Sequence, residues 1–100
     1  MRQQIPLQGG AVNAHQIVTV QLGDNLVRLH FNYLQSGQWL MNVEREGVYL
    51  VRGAILEPNC DVIAPWRLEN DIGRLVFTGT ATTLDNLGTD NTLVWVSPDE

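Results

Sequence analysis

The longest regular pattern in the sequence is an alternation of apolar and polar side chains that runs through residues 26–56. In residues 27–33 every second side chain is apolar or aromatic, and the positions between them are Arg28, His30 and Asn32. A period of two residues is typical of a half-buried β-strand. Turns at Gly37 and Gly47 interrupt the alternation, so the stretch predicts two β-hairpins placed end to end. Gly53 indicates either a bulge or a close backbone approach in the last strand.

Five further segments outside this meander carry strand signals. Residues 3–7 are predicted to be an extended edge segment, because Pro6 has no N–H to donate to a ladder. Residues 14–22 form the first full strand, in which Ile17 and Val18 together indicate partial burial on both faces. The remaining strands are expected at residues 60–64, 74–80 and 92–96.

About seven short strands separated by turn signals, with no helix longer than a turn, predict an all-β domain. The alternatives are a small antiparallel β-barrel and a two-sheet sandwich, and the pattern does not choose between them. Residues 1–100 are interpreted as one domain, because a chain of this length has room for a single core. The domain includes an extended N-terminal segment at 1–10, a mostly irregular loop at 81–91 anchored by Leu84 and Leu87, and a polar tail at 97–100.

The charged residues limit the partners that the chain can bind. The net charge is −5, and all six basic residues are Arg, scattered along the sequence without any Lys. Binding to nucleic acid requires a basic stripe, so no direct nucleic-acid binding is expected. No segment approaches the roughly 20 apolar residues of a membrane span, and the N-terminus lacks the apolar core of a signal peptide, so no membrane is expected either. Cys60 is the single cysteine, which excludes an intramolecular disulfide.

Residues with catalytic or metal-binding chemistry are few and isolated. His15 and His30 are the only candidates for a general base at neutral pH, and neither lies in a recognisable motif. Asp85, Asn86 and Asp90 place oxygen atoms in one loop, but their spacing does not match an EF-hand loop, and turn formation with solvation explains them better. The sequence therefore predicts no catalytic residues and no metal site.

The three tryptophans differ in their settings. Trp39 and Trp95 are in phase with apolar strand neighbours, so both are expected in the core. Trp66 follows Pro65 in a loop, and beside Arg67 it has the composition of an interface hot spot. Burial of Trp66 against the core is the alternative.

The order of seven short segments and the distances between them define a pattern that covers nearly the whole chain: 5–7, 20–25, 29–33, 37–43, 47–53, 85–88 and 93–96. In this arrangement they resemble the baseplate plug family of contractile-tailed bacteriophages, first described from a cyanophage baseplate. Members of that family often carry Trp or a similar aromatic residue in the first meander strand, where this chain has Phe31 and Tyr33.

The resemblance implies a structural protein of the virion, located in the tail baseplate and made in the cytoplasm of the bacterial host. It implies a protein that plugs or braces the central hub near the start of the tail tube. The implied partners are other baseplate proteins, namely hub, tube or tube-initiator subunits, with multiple copies per virion in keeping with the axial symmetry of tails. It implies no enzymatic activity and no cofactor.

The expected interface lies in the loops at 57–72 and 81–91 and in the N-terminal segment, which we expect to reach onto a neighbouring subunit. Strand addition at an exposed edge is a second way in which neighbours could dock. The alternative function is a small carbohydrate- or receptor-binding β module that uses Trp66 and the late loop. The candidate interface residues are Ile5, Pro6, Leu7, Trp66, Arg67, Asp85, Asn86 and Asp90.

Overall fold

Two antiparallel four-stranded sheets pack face to face and enclose the core. The computed structural model describes residues 2–98, so Met1 and two residues of the predicted polar tail, Asp99 and Glu100, lie outside the described residues. The first sheet has the strand order β1-β8-β7-β6 and the second has the order β2-β3-β4-β5. Neither sheet closes into a barrel, so of the two predicted alternatives the two-sheet sandwich is confirmed. The strands are β1 (Arg2–Ile5), β2 (His15–Leu22), β3 (Asn25–Tyr33), β4 (Trp39–Arg45), β5 (Val48–Ile55), β6 (Cys60–Asp61), β7 (Arg74–Gly79) and β8 (Asn91–Val96).

The second sheet is the predicted meander, with β2 added at its edge. The turn between β4 and β5 places Glu46 and Gly47 at positive φ, 53° and 79°, as a type I′ hairpin turn requires. The register between β4 and β5 shifts on either side of Val43, and Gly53 lies within the shifted part of β5, so the predicted bulge is confirmed. In the strand order of this sheet β3 and β4 are the interior strands, and β2 and β5 are the two edges.

The N-terminal strand belongs to the core of its own chain. β1 pairs with β8, with Arg2 opposite Val96 and Ile5 opposite Leu93. The side chain of Ile5 is 1% exposed and lies in the hydrophobic core. The expectation that Ile5 serves an interface is therefore corrected, because its side chain is already used within the core; that the N-terminal segment reaches onto a neighbour stays a prediction.

The predicted strand at 60–64 is shorter than expected. β6 ends at Asp61, whose Oδ1 atom accepts the N–H groups of Ile63 at 3.2 Å and of Leu75 at 3.1 Å. This side-chain oxygen thus accepts the Leu75 N–H of β7, which a backbone carbonyl of a longer β6 would otherwise accept. The chain then enters a single 3₁₀ turn at Ala64–Trp66, which contains Pro65. The only other helical segment within residues 2–98 is the 3₁₀ turn at Ala11–Asn13, and none of the described helices could span a membrane.

Both tryptophans predicted for the core are found there, and each holds a loop. Trp39, on β4, is fully buried and donates its indole N–H to the carbonyl of Thr83 at 3.0 Å. Trp95, on β8, is 2% exposed and donates to the carbonyl of Ile72 at 2.6 Å. The two acceptors lie in the long connections before and after β7, so the core fixes both of those connections.

We expect Gly73→Ala to destabilise the fold more than Gly47→Ala does. Both glycines have positive φ, which costs a residue with a Cβ atom about 1–2 kcal/mol. A Cβ atom at Gly73 would also lie 2.1 Å from the carbonyl oxygen of Val96, whereas one at Gly47 would meet nothing within 4 Å. Urea unfolding should show an additional loss of about 2 kcal/mol or more for Gly73→Ala, and equal losses in the two variants would contradict the close packing of Gly73 against β8.

Candidate functional site

Two of the predicted interface regions meet at one end of the sandwich. The N–H of Gly10 donates to the carbonyl of Leu84 at 2.7 Å, which joins the segment after β1 to the loop between β7 and β8. The backbone of Gly9 lies against that of Asp85, and the backbone of Leu7 lies against Gly88. Pro6 and Asp85 are exposed, whereas Leu7 is partly buried against the core. This end of the molecule therefore offers polar and backbone groups more than apolar ones.

The polar residues of the late loop have mainly a structural role. Asn86 accepts the N–H of Thr83 at 2.7 Å and donates its amide to the carbonyl of Ala81 at 3.0 Å. Such bonds stabilise turns, as the sequence suggested for this loop. Asp85 and Asp90 remain exposed. Within residues 2–98 no cluster of three or more His, Cys, Asp or Glu side chains could hold a metal ion.

Trp66 and Arg67 lie on another part of the surface, beside the edge strands β5 and β6. Trp66 is partly buried against the core, and Arg67 is exposed at the end of the 3₁₀ turn with a φ of 57°. A shallow groove of about 400 Å³ runs between the two edges and includes Trp66, Pro65 and Cys60 in its wall. Among the described residues, no hydrogen bond connects this region to the late loop.

Most of the large apolar side chains exposed on the described surface belong to the β2–β5 sheet, whose outward face was not among the predicted interface regions. Five large hydrophobic side chains are exposed among the described residues, and four of them belong to this sheet. Ile17, Leu26 and Tyr49 lie on its outward face and are 51%, 57% and 39% exposed, while Val48 is exposed at its edge. The exception is Val12, in the loop before β2. We refer to the surface formed by Ile17, Leu26, His30, Tyr49 and Arg52 as the outer face.

Polar side chains connect the strands across the middle of the outer face. His30 donates Nε2–H to Oε1 of Glu44 at 3.0 Å, and its ring lies 5.7 Å from the ring of Tyr49. The guanidinium of Arg52 lies 4.5 Å from the centre of the Tyr49 ring, in a cation–π arrangement. The Tyr49 ring is thus held between His30 and Arg52, which gives this exposed aromatic residue a defined orientation.

One end of the same face is a shallow groove of about 440 Å³ with charges of both signs in its wall. Leu26 contributes an apolar patch to this groove. A mixture of tyrosine, arginine and exposed aliphatic side chains is typical of protein–protein interfaces rather than of catalytic sites. The charged residues of the groove are Asp24, Arg28, Glu44, Arg45 and Glu46.

A signal for the outer face was present in the sequence. Leu26 and Ile17 are apolar at positions that the strand alternation assigns to the polar side of the sheet. An apolar residue in the wrong phase of a clear alternation indicates either a second buried face or an exposed patch. Ile17 was predicted to be partly buried on a second face, and the structure shows that this face has no covering layer within the described chain.

A comparison with protein-family models agrees with the resemblance drawn from the sequence segments. The model described as cyanophage baseplate Pam3 plug gp18 matches residues 2–98 of the chain. A comparison with curated protein sequences gives no match. The match includes the strands of both sheets and the loops that connect them.

We expect the thiol of Cys60 to react slowly with iodoacetamide at pH 8. Desolvation raises the pKa of this thiol, and the charges of Glu57 and Asp61 raise it further, so the reactive thiolate is less populated than in an ordinary cysteine. Glu57→Gln should move the pH–rate profile to lower pH and speed the reaction. The urea-unfolded chain provides the reference rate, and a native rate equal to it would contradict the raised pKa.

Proposed function

The chain belongs to the cyanophage baseplate plug family, and from this premise we propose that it plugs or braces the central hub of the baseplate near the start of the tail tube. The family itself implies a structural role in the tail baseplate of the virion. The finer proposal is that hub, tube or tube-initiator subunits bind the outer face. We propose that several copies are incorporated into each tail after synthesis in the host cytoplasm.

The observation that carries the proposal is the concentration of exposed apolar side chains on one sheet. Ile17, Leu26 and Tyr49 share the outer face, and Tyr49 is oriented by its contacts with His30 and Arg52. An oriented tyrosine loses little side-chain entropy on binding, which makes it suitable as an interface anchor. The loops at the ends of the sandwich, with Pro6, Asp85 and Asp90 exposed, would form the polar rim of such an interface.

The structure favours this proposal over the carbohydrate- or receptor-binding alternative. That alternative depended on a freely exposed Trp66, whose ring could stack on a sugar. Trp66 is instead partly buried against the core, which reduces the area of its ring available for stacking.

The proposal can be tested by zero-length carbodiimide cross-linking of purified virions followed by mass spectrometry. The chain contains no Lys, so any bond between one of its carboxylates and a lysine must join it to another protein. We expect such links from Glu44 or Glu46, beside the outer face, to subunits of the hub or of the first tube ring. Absence of the protein from virions, or links only to subunits distant from the hub, would refute the proposal.

Substitution of Tyr49 tests the docking face directly. We expect Tyr49→Ala to reduce incorporation into tails by roughly tenfold or more, because interface tyrosines are frequent hot spots. Val12→Ala is the matched control, since Val12 is 93% exposed but belongs to the 3₁₀ turn Ala11–Asn13 and not to a strand of that sheet. Thermal unfolding of both purified variants should be close to that of the wild type, and equal incorporation of the two would contradict the assigned face.

A further inference from the structure

The four edge strands of the sandwich differ in how they are protected against pairing with another strand. Exposed edges of natural sheets are usually blocked by short length, charge, proline or bulges. β1 has four residues, begins with Arg2 and is followed by Pro6. β6 has only two residues, and the β5 edge contains Gly53 in a bulge beside Arg52. Three of the four edges therefore carry at least one such device.

The edge strand β2 carries none of these devices, although residues 6–13 lie beside its first part, where the Gln16 side chain donates to the carbonyls of Gln8 at 2.6 Å and Asn13 at 3.0 Å. It has eight residues, its register with β3 is continuous, and it contains no proline and no Asp, Glu, Lys or Arg. The β-branched residues Ile17, Val18, Thr19 and Val20 are grouped at its centre, and such residues favour extended strands. A long, regular and uncharged edge of this kind is suited to accept a further strand.

The hydrogen bonds between β2 and β3 determine which backbone groups of β2 face outward. Leu22 and Asn25 close a two-residue hairpin, and at the other end Tyr33 donates its N–H to the carbonyl of Ala14 at 2.8 Å. Bonded and non-bonded pairs alternate in an antiparallel ladder, so the even-numbered residues of β2 bond to β3. The N–H and C=O groups of His15, Ile17, Thr19 and Gln21 therefore point away from the sheet, and no hydrogen bond among residues 2–98 uses them.

We propose that β2 pairs with β2 of a second copy of this chain, in antiparallel orientation, about a two-fold axis perpendicular to the sheet beside Val18. In this register Ile17 of each copy lies opposite Thr19 of the other, and His15 lies opposite Gln21. All four are residues whose backbone groups point outward, and each such pair exchanges two hydrogen bonds. The two Ile17 side chains become diagonal neighbours, which covers part of their exposed apolar surface.

Charge is the observation that favours a second copy as the occupant. Each chain has a net charge of −5, so two copies repel each other over most of their surfaces. β2 contains no Asp, Glu, Lys or Arg, and self-pairing there brings no like charges directly opposite each other, because each His15 lies opposite Gln21. The pairing also joins two outer faces into one continuous eight-stranded sheet. The proposal does not depend on the baseplate role, because it concerns the isolated chain.

The test combines sedimentation velocity with NMR amide exchange on the purified chain, at concentrations from about 10 μM to 1 mM. We expect the mass to change from monomer to dimer, while the amides of His15, Ile17, Thr19 and Gln21 gain protection as the concentration rises. The outward amides of the β5 edge should gain none. A monomer throughout this range, or a dimer that protects other amides, would overturn the proposal.

Substitutions at the two edges of the same sheet separate the β2 contact from general association. Ile17→Lys places two positive charges near the proposed axis and should weaken the dimer by about tenfold or more. Val48→Lys is the matched control, because Val48 is 60% exposed but lies on β5, and its effect should be within about twofold. Equal effects of the two substitutions would refute the β2 contact, and if Ile17→Lys fails to fold, the amide exchange of the wild-type chain still decides.

Discussion

The structure depends on two buried indole N–H groups that bind loop carbonyls. Trp39 and Trp95 belong to different sheets, and their acceptors, Thr83 and Ile72, lie in the two long connections of the β1-β8-β7-β6 sheet. A buried donor left without an acceptor costs about 1–3 kcal/mol, so each connection is fixed at the point where it passes its tryptophan. The long loops of this small domain are in this way part of the core rather than appendages to it.

The two sheets have different roles in this arrangement. The sheet that contains β1 and β8 provides the long loops and both terminal strands, and it closes the core. The other sheet consists only of hairpins and presents Ile17, Leu26 and Tyr49 on its outward face. Because the first sheet covers the inner face of the second, a chain of 100 residues can expose apolar side chains on one face of that sheet and still bury a core on the other.

Local patterns in the sequence predicted the parts of the fold that depend on neighbouring residues. The alternation around Phe31 and the turn at Glu46 and Gly47 were sufficient for the meander, because hairpin pairing is set by the turn between the strands. The pairing of β1 with β8 was not predictable, since it joins strands at opposite ends of the chain. The exposure of Ile17 was not predicted for a related reason. The alternation of apolar and polar side chains shows that a strand has two faces, but it does not show whether another layer of the fold covers each face.

The position of β8 between β1 and β7 sets the order in which the domain can form on the ribosome. β1 is the first strand to be synthesised, yet its partner is the last, so it must wait for nearly the whole chain to emerge. The β2–β5 hairpins need only local contacts and can form first. Until β8 arrives, the apolar inner side of that early sheet, including Phe31 and Met41, has no second layer to cover it, which makes the nascent chain a candidate client for chaperones.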